Sequence, residues 1–255
     1  MNYKFITIKK LEHWTAVTLN RPEVKNAFHT EMIQELTSVF QDLSKDQDTK
    51  IILLRGEGTA FCAGADLGWM KQMVNYTARE NKQDSEKLWN MFESIRTCTK
   101  PVITIVHGAV FGGGLGLVAC SDYVFAESQT QFCFSEVRLG LAPAVISSFT
   151  LKKISFGFAH AKMIFGQTFN SVTASQCGLV TEVFNGSLPD VAISSLVKNN
   201  GPQAMIESKK MLLELNFDPD WARKKDLTTS LIANLRASTE AQKKLTSFLS
   251  KSSKT

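Results

Sequence analysis

The stretch PVITIVHGAVFGGGLGLVA, residues 101–119, decides how this chain is organised. Its first part, Val102 to Val106, is an apolar and largely β-branched run that predicts a buried strand, and the glycines after it predict a turn into a helix. A glycine turn lets a ligand approach the backbone closely, and a helix N-terminus offers unpaired N–H groups at the positive end of its dipole. The stretch therefore predicts a place where negative charge is held.

A second stretch, IILLRGEGTAFCAGAD at residues 51–66, has the same order of buried strand, glycine turn and helix-prone segment. Two such turns that face each other would direct two backbone N–H donors at one oxygen. Donors held in advance around an oxygen that becomes negatively charged form an oxyanion hole. We expect the two glycine turns to form such a site.

Length and composition are those of a soluble enzyme. The chain has 255 residues, 44% of them hydrophobic, which suffices for one large domain or one domain with an appendage. We expect a cytoplasmic protein without membrane contact, because there is no signal-peptide pattern and no apolar run long enough for a membrane helix. The five cysteines are scattered and form no CxxC pair, so reduced thiols are expected instead of a zinc site or disulfides.

Most of the net charge of +5 lies at one end of the chain. Residues 241–255 hold four lysines and no acidic residue. Such a run is usually a solvated terminus, although its charge also suits ligand phosphates or nucleic acid. Because only Phe248 supplies an aromatic ring there, the run does not favour a nucleic-acid-binding protein.

The order of the predicted elements favours an α/β core. Thr30 is a candidate cap for a helix with apolar residues at helical spacing, and a second helix is predicted near Thr77–Thr97. From about Pro202 the pattern is helical throughout, which predicts a helical appendage. Short strands are expected at residues 5–8, 14–19, 123–126 and 131–134.

Three motifs in this order resemble the enoyl-CoA hydratase/isomerase (crotonase) superfamily. They are FCAGADL at residues 61–67, KPVI with GAVFGGGLGL within 100–117, and QFCFSEVRLGLAPA at 131–144. The resemblance runs nearly end to end and includes LNRPEVKNAF at residues 19–28. The segments GADLGWMKQM and FSEVRLGLAPAVIS are similar to sequences of the bacterial methylglutaconyl-CoA hydratase-like branch.

The resemblance implies a fold and an assembly. The expected fold is α/β, a crotonase-type spiral of ββα units that forms an acyl-CoA-binding core over residues 1–200. A C-terminal helical oligomerisation region is expected over residues 201–255. Family members trimerise through these helices, often as dimers of trimers, so a homotrimer or hexamer is expected.

The resemblance also implies a site for an acyl-CoA thioester. Members of the family hold the enolate oxygen with two backbone N–H groups, which by motif belong here to Ala65 and Gly113. No metal or redox cofactor is implied, since CoA is part of the substrate. The residues expected to contact CoA are Lys25, Ala63, Gly64, Asp66 and Leu67, with Lys25 as a candidate for a phosphate.

Hydratases of the family typically use two glutamates, and by motif this chain keeps one. The first falls at Gly116 and the second matches Glu136. The glycine predicts extra space for a branched or acidic acyl chain. On a strand, Arg138 would face the same way as Glu136 and is a candidate partner for a distal carboxylate. Partial burial would raise the pKa of Glu136 toward the range useful for acid–base catalysis.

Several functions remain open at this point. The expected activity is hydration of a 2-enoyl-CoA, with 3-methylglutaconyl-CoA of leucine and isovalerate catabolism as the expected substrate. A single glutamate also suits a Δ3,Δ2-enoyl-CoA isomerase or an acyl-CoA decarboxylase. From another class, a non-catalytic protein that binds CoA or nucleic acid is an alternative. His107 is a candidate second polar group, with a structural histidine as the commoner role.

Overall fold

Two β-sheets form the scaffold of the protein, in a computed structural model. It describes residues 3–12, 14–186, 190–198, 200–215, 225–226, 229–230, 233–234, 236–237 and 239–252. The strands are β1 Ile6–Lys10, β2 Thr15–Leu19, β3 Ile52–Gly56, β4 Val102–Val106, β5 Ala109–Phe111, β6 Tyr123–Glu127, β7 Gln131–Cys133, β8 Phe169–Asn170 and β9 Glu182–Phe184.

Helices cover and connect these sheets. In the described ranges they are α1 Thr30–Lys45, α2 Leu67–Met73, α3 Ala78–Arg96, α4 Gly113–Cys120, α5 Ala144–Thr150, α6 Phe156–Phe165, α7 Ser171–Gln176, α8 Asp190–Lys198, α9 Pro202–Leu215 and α10 Thr239–Ser252. Two short 3-10 helices lie at Pro22–Val24 and Glu136–Leu139.

The larger sheet is mostly parallel, as βαβ-type connections require. Its order is β1-β2-β3-β4-β6-β9, and only the β1–β2 hairpin is antiparallel. The smaller sheet has the order β5-β7-β8. The α/β prediction is therefore confirmed, and so is the predicted hairpin.

The chain leaves the larger sheet for the smaller one just before the glycine turn. Val102–Val106 forms β4 as predicted, but His107 and Gly108 then lead into β5, which pairs with β7. The glycine turn thus follows β5 and not β4. The glycine turn is therefore positioned by β4 in the larger sheet and by β5 in the smaller sheet.

Helix α1 matches its predicted apolar face but not its predicted cap. All six of its predicted apolar residues are buried. The N-cap is His29, which makes no side-chain cap bond, and Thr30 is already helical. Backbone bonds of Phe28 to Gly64 and Asp66 hold the chain in an extended conformation up to His29, so the helix begins at Thr30. The predicted apolar residues are Met32, Ile33, Leu36, Val39, Phe40 and Leu43.

The lysine-rich C-terminus is more than the solvated run expected from its charge. Residues 239–252 form α10, in which Leu245 and Leu249 are buried. The helix packs against α2 and the Glu136–Leu139 turn. The predicted helical residues Leu227, Leu231 and Leu235, and the tail residue Lys254, lie outside the described residues.

Two further observations bear on the chemistry. All five cysteines are free thiols. Across the ranges that the structure describes, no helix is long and apolar enough to cross a membrane.

Candidate active site

The two glycine turns meet. Cys62 pairs with Val110 and Ala65 pairs with Phe28 in short parallel bridges, which bring the upstream turn beside the end of β5. Gly64 and Gly112 have φ of 101° and 48°, in the region that favours glycine. A Cβ on Gly64 would lie 3.3 Å from the carbonyl oxygen of Phe111. A side chain would strain the backbone at both glycines because of their positive φ, and at Gly64 it would also crowd the Phe111 carbonyl.

The Ala65 and Gly113 amides are held in place, and no described residue accepts a hydrogen bond from them. Phe28 donates to the Gly64 carbonyl at 2.7 Å and Asp66 donates to the Phe28 carbonyl at 2.8 Å, which fixes the backbone on both sides of Ala65. Gly113 is the first residue of α4. Neither amide donates a hydrogen bond within the described part of the chain. Two such donors suit an oxygen that gains negative charge.

Glu136 lies beside these turns, in a 3-10 turn. A Cβ on Gly112 would lie 3.5 Å from Glu136 Oε1 and 3.8 Å from the Cα of Gly64. The turn ends at Gly140, which has φ 72° and donates to the Glu136 and Val137 carbonyls. The 131–144 motif therefore places its glutamate at the point where the two glycine turns meet.

The Glu136 carboxyl group is buried and incompletely bonded. Its Oε2 is inaccessible and accepts no hydrogen bond from the described residues. Burial raises the pKa of Glu136 to about 7, and a bond to its own backbone amide offsets only part of this effect. A carboxyl group with a pKa near neutrality can both accept and return a proton.

A cavity of about 850 Å³ connects these groups. Lys25 is exposed at its mouth. Trp69 and Met70 of α2 also line it. Apolar side chains supply much of the wall, among them Phe28, Leu88, Leu141, Val145 and Ile146. The cavity is lined by every residue singled out as catalytic or CoA-binding: Lys25, Ala63, Gly64, Ala65, Asp66, Leu67, Gly113 and Glu136.

The Asp66 carboxylate is occupied by the protein itself. It caps α2 by accepting from the Gly68 and Trp69 amides at 2.7 and 3.1 Å, and it pairs with Arg21 at 2.9 Å. Burial raises its pKa, but these hydrogen bonds and the Arg21 charge together hold the pKa below its ordinary value. Asp66 therefore stays ionised and fixes the shape of the loop that carries Ala65.

The expectation of extra space at Gly116 is wrong. A Cβ there would lie 2.4 Å from Phe92 Cζ and 3.0 Å from Ile146 Cγ2. Phe92 is fully buried and packs against Phe149, so its ring occupies the volume that a side chain at position 116 would need. Gly116 is a close-packing residue of α4 and does not line the cavity.

Arg138 does not take the position expected of it on a strand, whereas His107 has the structural role that was expected to be the commoner one. A 3-10 turn has about three residues per turn, so Arg138 does not share the direction of Glu136 as it would on a strand. Arg138 instead donates to the Gly166 carbonyl at 2.6 Å and to the Thr168 hydroxyl at 3.3 Å, although it still touches the cavity. His107 Nε2 lies 2.8 Å from the Gly58 carbonyl oxygen and is a structural residue outside the cavity.

Arg236 is a cavity residue that sequence reasoning missed. It is 6% exposed, and its Nη1 lies 3.2 Å from Asp84 and 3.3 Å from the Ser85 hydroxyl. Its guanidinium stands 5.8 Å from the centre of the Trp69 ring. The sequence does offer a signal for Arg236, because the arginine follows the largely apolar residues of LIANLRAS. A charged side chain in such a segment is rarely buried without a partner.

Titratable groups do not cluster in a way that suggests a metal centre. Within the ranges described above, there is no group of three or more His, Cys, Asp or Glu side chains placed to hold an ion.

The mostly parallel sheet, the paired glycine turns and the buried glutamate define a crotonase-type enzyme fold. The enoyl-CoA hydratase/isomerase family model matches residues 12–254, and the chain belongs to that family of enzymes. A putative enoyl-CoA hydratase from Thermus thermophilus is 29% identical over 206 residues, which cover 80% of this chain and 81% of the relative.

Two further comparisons cover nearly the whole chain. The crotonyl-CoA hydratase of Syntrophomonas wolfei is 27% identical over 98% of this chain and 97% of its own length. A crystal structure of a putative enoyl-CoA hydratase/isomerase (crotonase) from Legionella pneumophila is 34% identical, with a TM-score of 0.78 over 98% of both chains. An enoyl-CoA hydratase/isomerase activity is thus shown for the family.

Proposed function

We propose that this chain is an enoyl-CoA hydratase in which Glu136 is the single catalytic carboxylate, and that 3-methylglutaconyl-CoA is its substrate. One observation carries the proposal: the Glu136 carboxyl group shares one cavity with the Ala65 and Gly113 amides, and neither its buried Oε2 nor these two N–H groups have a hydrogen-bond partner among the described residues. This combination places an acid–base group next to a site for a developing oxyanion.

The thioester oxygen is assigned to the space between the two amides. Addition of water at the β-carbon moves electrons onto this oxygen and creates an enolate. The Ala65 and Gly113 N–H groups are fixed before the reaction, so they stabilise the enolate without reorganisation, by roughly 3 to 4 kcal/mol each. The Gly64 and Gly112 turns make this approach possible because they carry no side chain there.

Glu136 then handles both proton transfers. In its ionised form it takes one proton from water while the water oxygen bonds to the β-carbon of the enoyl group. It returns that proton to the α-carbon, which collapses the enolate and restores the carboxylate. Every atom of one water is added, and the proposed reaction needs no cofactor besides the CoA of the substrate. A pKa near 7 suits both halves of this cycle.

The CoA moiety is assigned to the exposed side of the cavity. Lys25 is exposed at the mouth and carries a charge suited to a phosphate. Residues Ala63 to Leu67 line the path from the mouth to the oxyanion site. Because the Asp66 carboxylate is bonded to Arg21 and α2, its proposed contribution to CoA binding is to hold this segment in shape.

The choice of acyl chain rests on the motif similarity to the methylglutaconyl-CoA hydratase-like branch. Space at Gly116 does not contribute, because Phe92 fills it. The cavity wall is partly apolar, as a site for an acyl chain requires.

A Δ3,Δ2-enoyl-CoA isomerase is the second candidate. The lone buried carboxylate favours it, because moving a proton between two carbons of one substrate needs only one base and no water. The same oxyanion site would stabilise the enolate formed on the way. The two reactions differ in the atoms that Glu136 serves: the hydratase moves a proton from water to the α-carbon of a 2-enoyl-CoA, whereas the isomerase moves a proton from the α-carbon to the γ-carbon of a 3-enoyl-CoA.

The test compares turnover of 3-methylglutaconyl-CoA, crotonyl-CoA and a 3-enoyl-CoA by wild type and Glu136→Gln. We expect wild type to remove the conjugated thioester absorbance of 3-methylglutaconyl-CoA and the variant to lose at least about 100-fold in kcat. Glu23→Gln, which changes an exposed carboxylate at the same cavity, is the matched control and should stay within about twofold of wild type.

Each other outcome has a defined meaning. Formation of conjugated thioester from the 3-enoyl-CoA, with no hydration of either 2-enoyl substrate, would replace the hydratase proposal by the isomerase. Full activity of Glu136→Gln on its substrate would remove Glu136 from the mechanism.

A further inference from the structure

Arg236 lies on the cavity wall, and one of its buried N–H groups has no acceptor among the described residues. Arg236 is 6% exposed, whereas Lys25 at the mouth is exposed. A CoA nucleotide is large and polyanionic, so it must lie at the exposed mouth. The acyl chain then points from the oxyanion site toward the buried end, where Arg236 shares the wall with Leu88 and Trp69.

The hydrogen bonds of Arg236 are unevenly distributed. Its Nη1 is held by Asp84 at 3.2 Å and by Ser85 at 3.3 Å, both on α3. Its Nε is buried and has no acceptor within the part of the chain that the structure describes. A guanidinium binds a carboxylate through two parallel N–H groups, and the Nε edge is one of the faces that permit this.

We infer that Arg236 recognises a carboxylate at the far end of the acyl chain, so that the cavity selects dicarboxylic acyl-CoA thioesters over monocarboxylic ones. This inference rests on the assignment of the cavity to acyl-CoA in the proposed function. It deepens that proposal by naming the residue that discriminates the substrate class. Arg138, the arginine expected from the sequence, already donates to Gly166 and Thr168.

The surroundings of Arg236 explain why a carboxylate suits it better than a methyl group. Among the described residues, Asp84 is the carboxylate paired with Arg236, on its Nη1 side, and it is itself buried, with a side chain 6% exposed. The buried Nε–H already lacks an acceptor among the described residues, so a methyl end would leave it unpaired, whereas a carboxylate would supply the missing acceptor. With a carboxylate bound, the guanidinium would donate to α3 through Nη1 and to the substrate through its Nε edge. Discrimination of this kind is strong because rejection leaves a buried donor without a partner.

The experiment measures binding of two unreactive thioesters of equal length, glutaryl-CoA and pentanoyl-CoA, by titration calorimetry. We expect wild type to bind glutaryl-CoA roughly 10- to 100-fold more tightly, as a charge-assisted hydrogen bond predicts. The double variant Asp84→Asn/Arg236→Met removes both charges together, so that no buried carboxylate is left unpaired. It should lose the preference while its affinity for pentanoyl-CoA changes less than about threefold.

Two controls separate recognition from structure. Arg138→Met removes another cavity arginine and should keep the preference for glutaryl-CoA. Arg236→Lys keeps the charge but not the fork, and should retain only part of the preference. The inference is overturned if wild type binds both thioesters equally, or if the double variant weakens both by the same factor, which is what a purely structural Arg236 would do.

The thioester-binding experiment and the hydration assay can fail independently of each other. A preference for glutaryl-CoA that depends on Arg236 supports the inference even if no enoyl-CoA is hydrated, in which case only the proposed reaction falls. Hydration of enoyl-CoA without any preference for the dicarboxylic thioester would leave the proposed reaction and overturn the role of Arg236.

Discussion

Glu136 should give the enzyme a titration near neutrality. Burial raises the pKa of its carboxyl group to about 7, and the proposed cycle begins with the ionised form. We therefore expect kcat/KM to rise from pH 5.5 and to level off above about pH 8, with a midpoint near 7. Initial rates across this range check the expectation. A midpoint near the ordinary value for glutamate would show that the carboxyl group is solvated in the working enzyme.

The same raised pKa should make the fold less stable at higher pH. Between pH 4.5 and 7 the unfolded chain loses a proton from Glu136 that the folded chain keeps, so the free energy of unfolding falls as pH rises through this window. Glu136→Gln cannot titrate and should be more stable than wild type above pH 7, by ~3 kcal/mol at most. Urea unfolding of both proteins at pH 5 and pH 8 measures the difference. Parallel behaviour of the two proteins would contradict it.

Gly116 should tolerate no side chain, in contrast to a glycine of another helix. Gly116→Ala places a Cβ against the ring of Phe92, and overpacking of this kind costs roughly 1 to 3 kcal/mol. Gly157→Ala in α6 is the matched control, because an added Cβ there contacts nothing within 4 Å. The control should be neutral or gain up to about 1 kcal/mol from helix propensity. Thermal unfolding of the two variants compares them, and equal stability would contradict the packing argument.

At the scale of elements, α2 depends on one carboxylate. Asp66→Ala removes the cap of the Gly68 and Trp69 amides and the partner of Arg21, and should cost about 2 to 3 kcal/mol. Asp66→Asn keeps a cap oxygen and should cost about 1 kcal/mol. The stabilisation by Asp66 is present above its unfolded pKa and is lost as pH falls through the lower folded value, so the cost should shrink in acid.

Asn170→Ala is the control for this prediction. It removes the side-chain cap of α7, which does not line the cavity, and should cost about 1 kcal/mol. It should leave the affinity for CoA unchanged, whereas Asp66→Ala should weaken it because the 63–67 segment loses its shape. Urea unfolding and CoA calorimetry together distinguish a lost cap from a lost binding segment. Equal CoA affinity in both variants would contradict the positioning role of Asp66.

The glycine turns were predictable from sequence because their cause is local. A turn with positive φ and a close backbone approach require glycine, so Gly64 and Gly112 reveal the geometry directly. The apolar face of α1 was predictable for a similar reason, since helical spacing is a local pattern. The meeting of the two turns was predicted from their shared order of strand, glycine turn and helix together with the chemistry of an oxyanion site, and no local contact in either stretch shows it directly.

The rest of the site depends on contacts between distant parts of the chain. Phe92 on α3 fills the space beside Gly116, and neither segment carries a sequence pattern that predicts this contact. The Glu136 turn ends because Gly140 adopts a left-handed conformation, which a strand interpretation of SEVRLG overlooked. Arg236 reaches the cavity from the C-terminal region by pairing with Asp84, 152 residues earlier. Periodicity and motif spacing cannot reveal contacts between residues so far apart in the chain.

At the scale of the molecule, α9 presents a surface suited to assembly. Lys209 anchors the helix to the larger sheet by bonding Asp122 at 2.6 Å and the Lys100 carbonyl at 3.1 Å. Met211 and Leu212 then project outward and are 52% and 59% exposed. Adjacent large apolar residues at the surface of an anchored helix favour contact with a further copy of the chain.

This surface gives the expected homotrimer or hexamer a concrete test. Light scattering of wild type should give three or six chain masses. Leu212→Glu buries a charge in any contact made through α9, so it should shift the mass toward one chain at micromolar concentration. Val172→Glu changes a residue of α7 with similar exposure, 55%, and should leave the mass unchanged. A single-chain mass for wild type would show that the exposed face of α9 is solvated, and that the C-terminal helices cover the cavity of their own chain alone.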